Sequence, residues 1–414
     1  MAQAGAPGRA RFGDVFRIGE FRVLWLAQAQ SLAGDQLARV ALAVLVFERT
    51  SSAVLTALTY SLTFLPALVT APFLSGLADR YPRRSVMAAA DTARGCLVAL
   101  MVVPGVPLAV MMVLLVAMVC LQPLFAGARN ATLPSVLTGD RYQVGMGVVA
   151  MTDYLAQIGG FVAGGALVTA LGGPRTALAA DALTYLASAA LIRFGIGPHR
   201  PDAGAGVGAA ADRGVRGFAL AGIRLVFGDR RLLGLAGLIW LYGFFIAPEA
   251  LAAPYAAELG AGTIAVGLLM AADPAGALIG TLLITRLIPF APRQRLMVPL
   301  ALATGVPLML SAVEPSLPRS LALWTVNGVL TTYIVLAQAR FVTAVPDALR
   351  ARAIGAASAG LQTAQGLGVL LAGVLAEAFQ PSVAVALCGA AGTVGAAVLA
   401  YTCRPGRVPL PDDG

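Results

Sequence analysis

Three polar side chains lie on one face of the first long apolar segment. Gln28, Asp35 and Arg39 are separated by seven and then four positions, and these spacings place them on the same side of an α-helix. An isolated charge is costly in apolar surroundings, so a buried carboxylate needs a cation beside it. A carboxyl group whose pKa is raised by burial and lowered by a neighbouring cation can exchange protons near neutral pH. We therefore predict that Asp35 and Arg39 form a pair that carries a coupling proton; a static pair that only fixes helix packing is the alternative.

A dense group of charges lies between two long apolar segments, in SGLADRYPRRSVM at residues 75–87. Arginines alone would suffice to set the orientation of a membrane protein. The stretch also contains an acid, which can pair with an arginine or with a helix N-terminus. We interpret the group as a cytoplasmic gate that holds two parts of the chain together in one conformation; charges that only set orientation are the alternative. The gate residues are Asp79, Arg80, Arg83, Arg84, Asp91, Arg94 and Arg129.

Three further acids lie in apolar segments, outside the predicted proton-coupling pair and the predicted gate. Asp181 is close to the predicted outer end of its segment, and we interpret it as a rim or capping acid. Asp273 precedes Pro274 and could mark a kink or take part in coupling. Asp153 lies deeper in its segment.

The composition identifies the class of protein that must hold these groups. Of the 414 residues, 58% are hydrophobic and 12% are charged, whereas roughly 25% of residues in soluble domains are charged. The apolar residues form long stretches divided by short arginine-bearing breaks, which is typical of a helical protein with many membrane spans. All 29 basic residues are arginine. The net charge of +9 is therefore attributed to loops at the membrane surface, and no nucleic-acid partner is predicted.

The same composition excludes several classes of enzyme chemistry. Because the chain has no lysine, it has no GxxxxGK[ST] phosphate loop and no lysine Schiff base. With His199 as the single histidine, an HExxH zinc site is impossible and a Ser-His-Asp triad is not expected. The four cysteines are scattered and form no CxxC motif. We predict that the protein is not an enzyme and uses neither a metal nor a cofactor.

Twelve membrane-spanning helices are predicted from the apolar stretches. Each has about 20 residues, the length that a hydrocarbon core of about 30 Å requires. The predicted spans, numbered 1 to 12, are 22–46, 53–77, 85–103, 107–127, 145–170, 177–196, 232–255, 262–285, 295–312, 320–339, 353–378 and 382–402.

The placement of arginines predicts the orientation and the division of the chain. With the N-terminus inside, the outer loops contain Arg49, Arg175 and Arg319, whereas most other arginines fall in inner segments, as the positive-inside rule requires. Both termini are therefore predicted to be cytoplasmic. The predicted parts are a cytoplasmic segment 1–21, a six-helix bundle 22–197, a cytoplasmic linker 198–231, a second six-helix bundle 232–403 and a cytoplasmic tail 404–414.

An internal repeat connects the two predicted bundles. One glutamine and two glycines of span 5 recur in span 11 at a constant offset, and the short stretches before them, ARNATLP and ARFVTAVP, are also alike. Two six-helix units related in parallel are the organisation of many secondary transporters, with the substrate site between the units. The repeated residues are Gln157, Gly160 and Gly165, and then Gln365, Gly368 and Gly373.

Four stretches of the chain carry a recognisable family pattern. They are DRYPRR followed by AADTAR at 89–94, FRVLWLAQAQSLAGDQ at 21–36, ARNATLP at 128–134 and AADALTYL at 179–186. Together with the length, the twelve spans, the linker and the repeat, they resemble the major facilitator superfamily, and within it the macrolide- and siderophore-exporter branch. The resemblance implies an all-α integral membrane protein of two six-helix bundles, with the charged loop between spans 2 and 3 acting as a cytoplasmic gate.

The resemblance also implies where the substrate cavity lies. In this superfamily spans 1, 4, 7 and 10 line the cavity, and here these spans combine sparse polar groups with methionine and aromatic side chains. Such a surface suits an adaptable apolar pocket. The residues expected to line the cavity or to couple protons are Gln28, Asp35, Arg39, Gln122, Tyr242, Glu249, Asn327 and Thr331.

The predicted function is secondary active transport by alternating access. We expect a plasma-membrane protein, acting as a monomer, that exports hydrophobic or amphipathic small molecules in exchange for protons. Antiporters of this family often have a proline in span 5 where this chain has Phe161, so an importer or an ion-independent facilitator is the first alternative. A membrane receptor or assembly protein on a transporter scaffold is the second.

Overall fold

The structure is a computed structural model, and it describes residues 12–66, 70, 81–170, 172–197, 221–289, 293 and 295–402. Every regular element among these residues is an α-helix, in agreement with the predicted all-α class. We call the described residues before 198 the N-terminal half and those after 220 the C-terminal half.

Long apolar helices make up both halves. The helices of the N-terminal half are α1 (Phe12–Phe16), α2 (Gly19–Thr50), α3 (Ala53–Ser61), α4 (Arg83–Val102), α5 (Leu108–Val136), α6 (Asp140–Ala170) and α7 (Pro174–Gly195). Those of the C-terminal half are α8 (Arg230–Trp240), α9 (Tyr242–Phe245), α10 (Ala247–Glu258), α11 (Thr263–Leu287), α12 (Met297–Leu310), α13 (Leu317–Thr331), α14 (Tyr333–Ala344), α15 (Asp347–Ala378) and α16 (Pro381–Thr402).

Within the described ranges, ten helical stretches are long and apolar enough to cross a membrane. One of these stretches joins α8 to α10, and another joins α13 to α14. Two predicted spans are not among the ten. Much of span 2 after α3 lies outside the described residues, and span 9 corresponds to α12, an apolar helix of 14 residues. The count of twelve spans and the cytoplasmic location of both termini therefore stay predictions.

Predicted span 7 is interrupted twice in the structure. The first helical piece ends at Trp240, the second ends at Phe245, and the third begins at Ala247. Pro248 lies in the first turn of this third piece, and because proline has no backbone N–H it cannot continue the hydrogen-bond ladder of the preceding turn. The interruption places Glu249 in the first turn of α10, where the helix dipole favours a negative charge.

Each half is held together by pairs of tightly packed helices. In the N-terminal half, α2 packs against α6 and α7, and α4 packs against α5 and α7. In the C-terminal half, α11 packs against α13, and α12 packs against α16. Most buried apolar side chains of both halves form one large continuous cluster, so the two halves share a core, and two smaller clusters lie within the N-terminal half.

The first copy of the repeat makes one contact inside its half and one contact across the two halves. Gly160 packs directly against the backbone of α2 at Ala33, where an added Cβ would overlap the carbonyl oxygen. Gly165, further along α6, faces α11, and a Cβ there would lie 3.0 Å from the carbonyl oxygen of Thr263. Small residues at such positions allow helix backbones to approach closely.

The second copy makes the equivalent pair of contacts. Gly368 of α15 packs against the backbone of Gly243 in α9, within the C-terminal half. Gly373 packs against Ala57 in α3 of the N-terminal half. In each copy the first glycine thus faces its own half and the second faces the other half, which supports the predicted parallel duplication.

Polar contacts accompany the packing of α3 against α15. Glu377, near the end of α15, accepts hydrogen bonds from the hydroxyl of Ser52 at 3.1 Å and from the N–H of Val54 at 3.2 Å. Further along the same two helices, the hydroxyl of Ser61 donates to the carbonyl group of Gly366 at 2.9 Å. In the predicted orientation Glu377 lies at the extracellular end of this contact.

Replacing Gly160 by Ala is expected to lower the melting temperature of the purified protein in detergent. The new methyl group would overlap the backbone of α2, and overpacking of this kind costs about 1–3 kcal/mol. Gly159→Ala is the matched control, because a Cβ at the adjacent glycine meets no atom within 4 Å and alanine favours a helix. Equal melting temperatures for the two variants would contradict the close contact between α2 and α6.

Candidate functional site

A buried ionic cluster joins α2, α4 and α7 in the N-terminal half. The guanidinium group of Arg94 lies 3.3 Å from Asp35 and 3.5 Å from Asp91. It also lies over the ring of Tyr185, at 4.3 Å from the ring centroid. The hydroxyl of Tyr185 donates to Asp35, and the hydroxyl of Ser188 donates to Asp91 at 2.5 Å. One arginine therefore neutralises carboxylates from two helices, which is the arrangement that a buried cation requires.

The predicted pairing of Asp35 with Arg39 is wrong in this structure. Asp35 is occupied by Arg94 and Tyr185, whereas the guanidinium of Arg39 lies over the rings of Tyr60 and Phe64 at 5.6 and 5.7 Å. The helical spacing correctly places Asp35 and Arg39 on one side of α2. A cation from α4 and two aromatic rings near α3 offer each residue a different partner, and both interactions are favourable.

A hydrogen bond between the two halves lies beside Arg39. The hydroxyl of Tyr60 in α3 donates to the carboxyl group of Glu249 in α10. Glu249 is 2% exposed, and among the described residues its second oxygen has no hydrogen-bond partner. Arg39 is close enough for its charge to act on Glu249. The arrangement can hold a proton or a negative charge at the contact between the halves.

Two polar residues of the C-terminal half meet at Asp273. Asn327 donates its side-chain N–H to this carboxyl group at 2.6 Å, and the hydroxyl of Tyr242 donates to it at 3.1 Å. Tyr242 and Asn327 thus meet on an acid whose role the sequence left open, and their predicted place in the substrate cavity stays a prediction. Thr331 is buried, but its hydroxyl donates to the carbonyl group of Gly328 in the same helix.

The two glutamines of the predicted cavity are separated in the structure. Gln122 lines a cavity with Asp35, Arg39 and Arg94, together with apolar side chains of α2 and α5. Gln28 instead donates to Asp153 on α6 at 2.8 Å. The helical spacing of Gln28 and Asp35 does not bring both residues to the same cavity.

The predicted gate residues do not all lie together in the structure. Asp79 and Arg80 lie outside the described residues. Arg83 donates to the carbonyl group of Ala131 at 2.6 Å and Arg84 to that of Ile196 at 3.1 Å, so the start of α4 is tied to the ends of α5 and α7. Arg129 donates to Asn130 at 3.0 Å, and its charge also acts on Asp153.

The remaining two gate residues, Asp91 and Arg94, meet Asp35 in the buried cluster and not the arginines at the start of α4. They lie on the opposite side of α4 from its exposed side chains and are 0% and 3% exposed. A role in the cytoplasmic gate stays a prediction for all seven residues.

Asp181 was predicted as a rim or capping acid, and the structure corrects this. It is 0% exposed and lies where α7 packs against α2. The distance of a residue from the end of its helix indicates depth, but it does not indicate which side faces a neighbouring helix. A polar stripe on one face of α7 could have indicated from the sequence that Asp181 faces a neighbouring helix. It consists of residues at positions i, i+3, i+4 and i+7, namely Asp181, Thr184, Tyr185 and Ser188.

The arrangement of the acidic side chains decides whether they could hold a metal ion. Among the residues that the structure describes, no three His, Cys, Asp or Glu side chains are arranged to hold a metal ion. In the cluster around Asp35 the central position is taken by the guanidinium of Arg94, so the groups that remain suit protons and hydrogen-bonding ligands.

Comparison with known proteins agrees with this architecture. A family model described as Major Facilitator Superfamily matches residues 24–251. The multidrug efflux pump Tap of Mycobacterium tuberculosis (strain ATCC 25618 / H37Rv) is 29% identical over 383 residues, which cover 86% of this chain and 87% of Tap. Tap of Mycobacterium bovis (strain BCG / Pasteur 1173P2) matches with the same values.

Two solved structures show a similar fold. The nucleoside transporter NupG superposes with a TM-score of 0.72 and 14% identity, over 94% of this chain and 100% of that chain. A bacterial homologue of the human lysosomal transporter Spinster, in an inward-facing and occupied conformation, gives a TM-score of 0.69 and 14% identity, over 93% and 96% of the two chains. At this identity the likeness concerns the fold alone.

Replacing Arg94 by Gln is expected to destabilise the protein strongly. The change would leave Asp35 and Asp91 buried without their cation, and breaking a buried pair in this way costs about 3–5 kcal/mol. Arg350→Gln is the matched control, since Arg350 pairs with Asp347 at an exposed position and such pairs contribute about 0–1 kcal/mol. The readout is the melting temperature in detergent, and a similar small effect of both variants would contradict the ionic cluster.

Proposed function

This chain belongs to the major facilitator superfamily of membrane transporters, and we propose that it exports hydrophobic or amphipathic small molecules in exchange for protons. As a member of that family it is a multi-pass membrane transporter of small molecules. The direction of transport, the coupling ion and the substrate class are the proposed part. We also propose that the protein works as a monomer in the plasma membrane.

The direction and the substrate class are supported by the similarity to Tap, which is a multidrug efflux pump. The cavity beside Asp35 and Arg39 is lined by flexible apolar side chains such as Leu115 and Met118, with Gln122 as a polar group. Such a lining can adapt to apolar molecules of different shapes.

The hydrogen bond from Tyr60 to Glu249 is the observation on which the proposed coupling depends. It joins the two halves through a buried carboxyl group. When Glu249 is ionised it is a strong acceptor for Tyr60, and Arg39 stabilises its charge. When Glu249 takes up a proton, both interactions weaken, so the two halves can separate at this point. Proton binding would then favour one conformation of the carrier, as alternating access requires.

Asp35 is proposed as the matching carboxyl group of the N-terminal half. It is partly open to the cavity, with a side-chain exposure of 14%, and it is paired there with Arg94, which lines the same cavity. The cavity has a volume of about 30 Å³, which is room for a water molecule, so a proton carried by water can reach Asp35 without opening the ionic cluster.

Vesicles that contain the purified protein are expected to move a lipophilic fluorescent dye when a pH gradient is imposed. Glu249→Gln should abolish this pH-driven movement, because glutamine cannot exchange a proton, while exchange of dye at equal pH on both sides should persist. Glu314→Gln is the control, since Glu314 lies at an exposed position. Full pH-driven transport by Glu249→Gln would contradict its coupling role. Dye movement that never follows the pH gradient in the unmodified protein would instead favour an ion-independent facilitator.

Asp35→Asn is expected to abolish pH-driven dye movement in the same vesicles. Asparagine removes both the exchangeable proton and the charge that faces Arg94. Asp347→Asn serves as the control, because its side chain is 87% exposed. Undiminished pH-driven transport by Asp35→Asn would remove this residue from the proposed coupling, and a protein that no longer binds dye would assign it to substrate binding.

A further inference from the structure

We propose that Asp181 binds a proton inside the N-terminal half and forms a proton-binding site separate from the contact between Tyr60 and Glu249. The inference goes beyond the proposed transport function, which does not use Asp181. It rests on the surroundings of this carboxyl group, on the charges that face it and on the way α2 closes over it.

The carboxyl group of Asp181 is buried with one oxygen unsatisfied. Its residue is 0% exposed. One oxygen accepts from the hydroxyl of Thr184 at 3.3 Å, and among the described residues the other has no hydrogen-bond partner. A buried ionised carboxylate needs a cation or several donors, whereas a protonated carboxyl group is neutral and tolerates a single long hydrogen bond far better.

The charges around Asp181 make the ionised form more costly. It is faced by Asp35 from α2 and by Asp91 and Arg94 from α4, with Tyr185 next to it on its own helix face. The guanidinium of Arg94 pairs with Asp35 and Asp91, and no described cation forms an ion pair with Asp181.

The other charged groups nearby are engaged elsewhere. Arg39 of α2 lies over Tyr60 and Phe64, and Asp153 of α6 is bonded to Gln28. The cluster thus holds three carboxyl groups against one arginine. Asp35 and Asp91 already share Arg94. An ionised Asp181 would therefore carry a negative charge without a cation of its own, and a proton on Asp181 removes that charge.

The backbone of α2 closes directly over Asp181 at Gly34. A side chain at this glycine would overlap both the carboxyl group of Asp181 and the hydroxyl of Thr184. The next residue along α2 is Asp35, which lines the cavity. A proton that reaches the cavity therefore has an acceptor on the chain beside Asp181, so the site is buried but adjacent to an accessible acid.

The test is the infrared spectrum of the full-length protein in lipid nanodiscs at neutral pH. A protonated carboxyl group has a C=O stretch above the amide I band, and this band shifts in heavy water. We expect the band to lose intensity in Asp181→Asn and to be unchanged in Glu377→Gln, which removes an exposed acid. An unchanged band in Asp181→Asn would overturn the proposal.

Thermal unfolding of the same samples provides a second, independent readout. Asparagine resembles a protonated aspartic acid in shape and charge, so Asp181→Asn should melt close to the unmodified protein. Asp91→Asn removes a charge that Arg94 requires and should melt at a clearly lower temperature. An Asp181→Asn variant that unfolds as readily as Asp91→Asn, or does not fold, would show that the ionised form is needed and would overturn the proposal. Neither readout involves transport, so failure here and failure of the transport proposal are distinguishable.

Discussion

The need to neutralise buried charge governs the N-terminal half. Arg94 is buried, and its guanidinium group is stabilised by carboxylates and a ring from α2, α4 and α7. Asp35 comes from α2, Asp91 from α4 and Tyr185 from α7. Fixing these three helices relative to one another also fixes the face of α2 that lines the cavity and the position from which Arg39 reaches the contact between the halves.

The C-terminal half solves the same problem without a cation. Asp273 is surrounded by the neutral donors Asn327 and Tyr242, and Glu249 obtains its described donor, Tyr60, from the other half. Glu249 receives its hydrogen bond from the other half, so separating the halves would remove that donor. The donors to Asp273 come from its own half and would stay in place. In the proposed transport cycle the surroundings of Glu249 would therefore change when the halves separate, whereas those of Asp273 would not.

The sequence predicted the all-helical class, the family and the glycine repeat, because hydropathy, arginine placement and close helix packing leave strong local patterns. It did not predict the partner of Asp35. Helical spacing shows which residues share a face, but the choice between Arg39 and Arg94 depends on the helix that packs against that face. Tyr60 was missed for the same reason, since its importance comes from a residue 189 positions away. Asp181 was placed at a rim because depth along a helix is readable from sequence and orientation across the bundle is not.

Two of the contacts between the halves have different consequences for motion. At Gly165 and Gly373 the helices meet through backbone and small side chains, so separating them breaks many weak contacts but leaves no buried charge unpaired. At Tyr60 and Glu249 a single hydrogen bond carries a buried carboxyl group, and separating it is costly unless that group is first neutralised. In the proposed transport cycle the glycine contacts let the halves rock, and protonation of Glu249 decides when they do. This difference gives the buried carboxyl group of Glu249 a specific role at the boundary between the two halves of the proposed transporter.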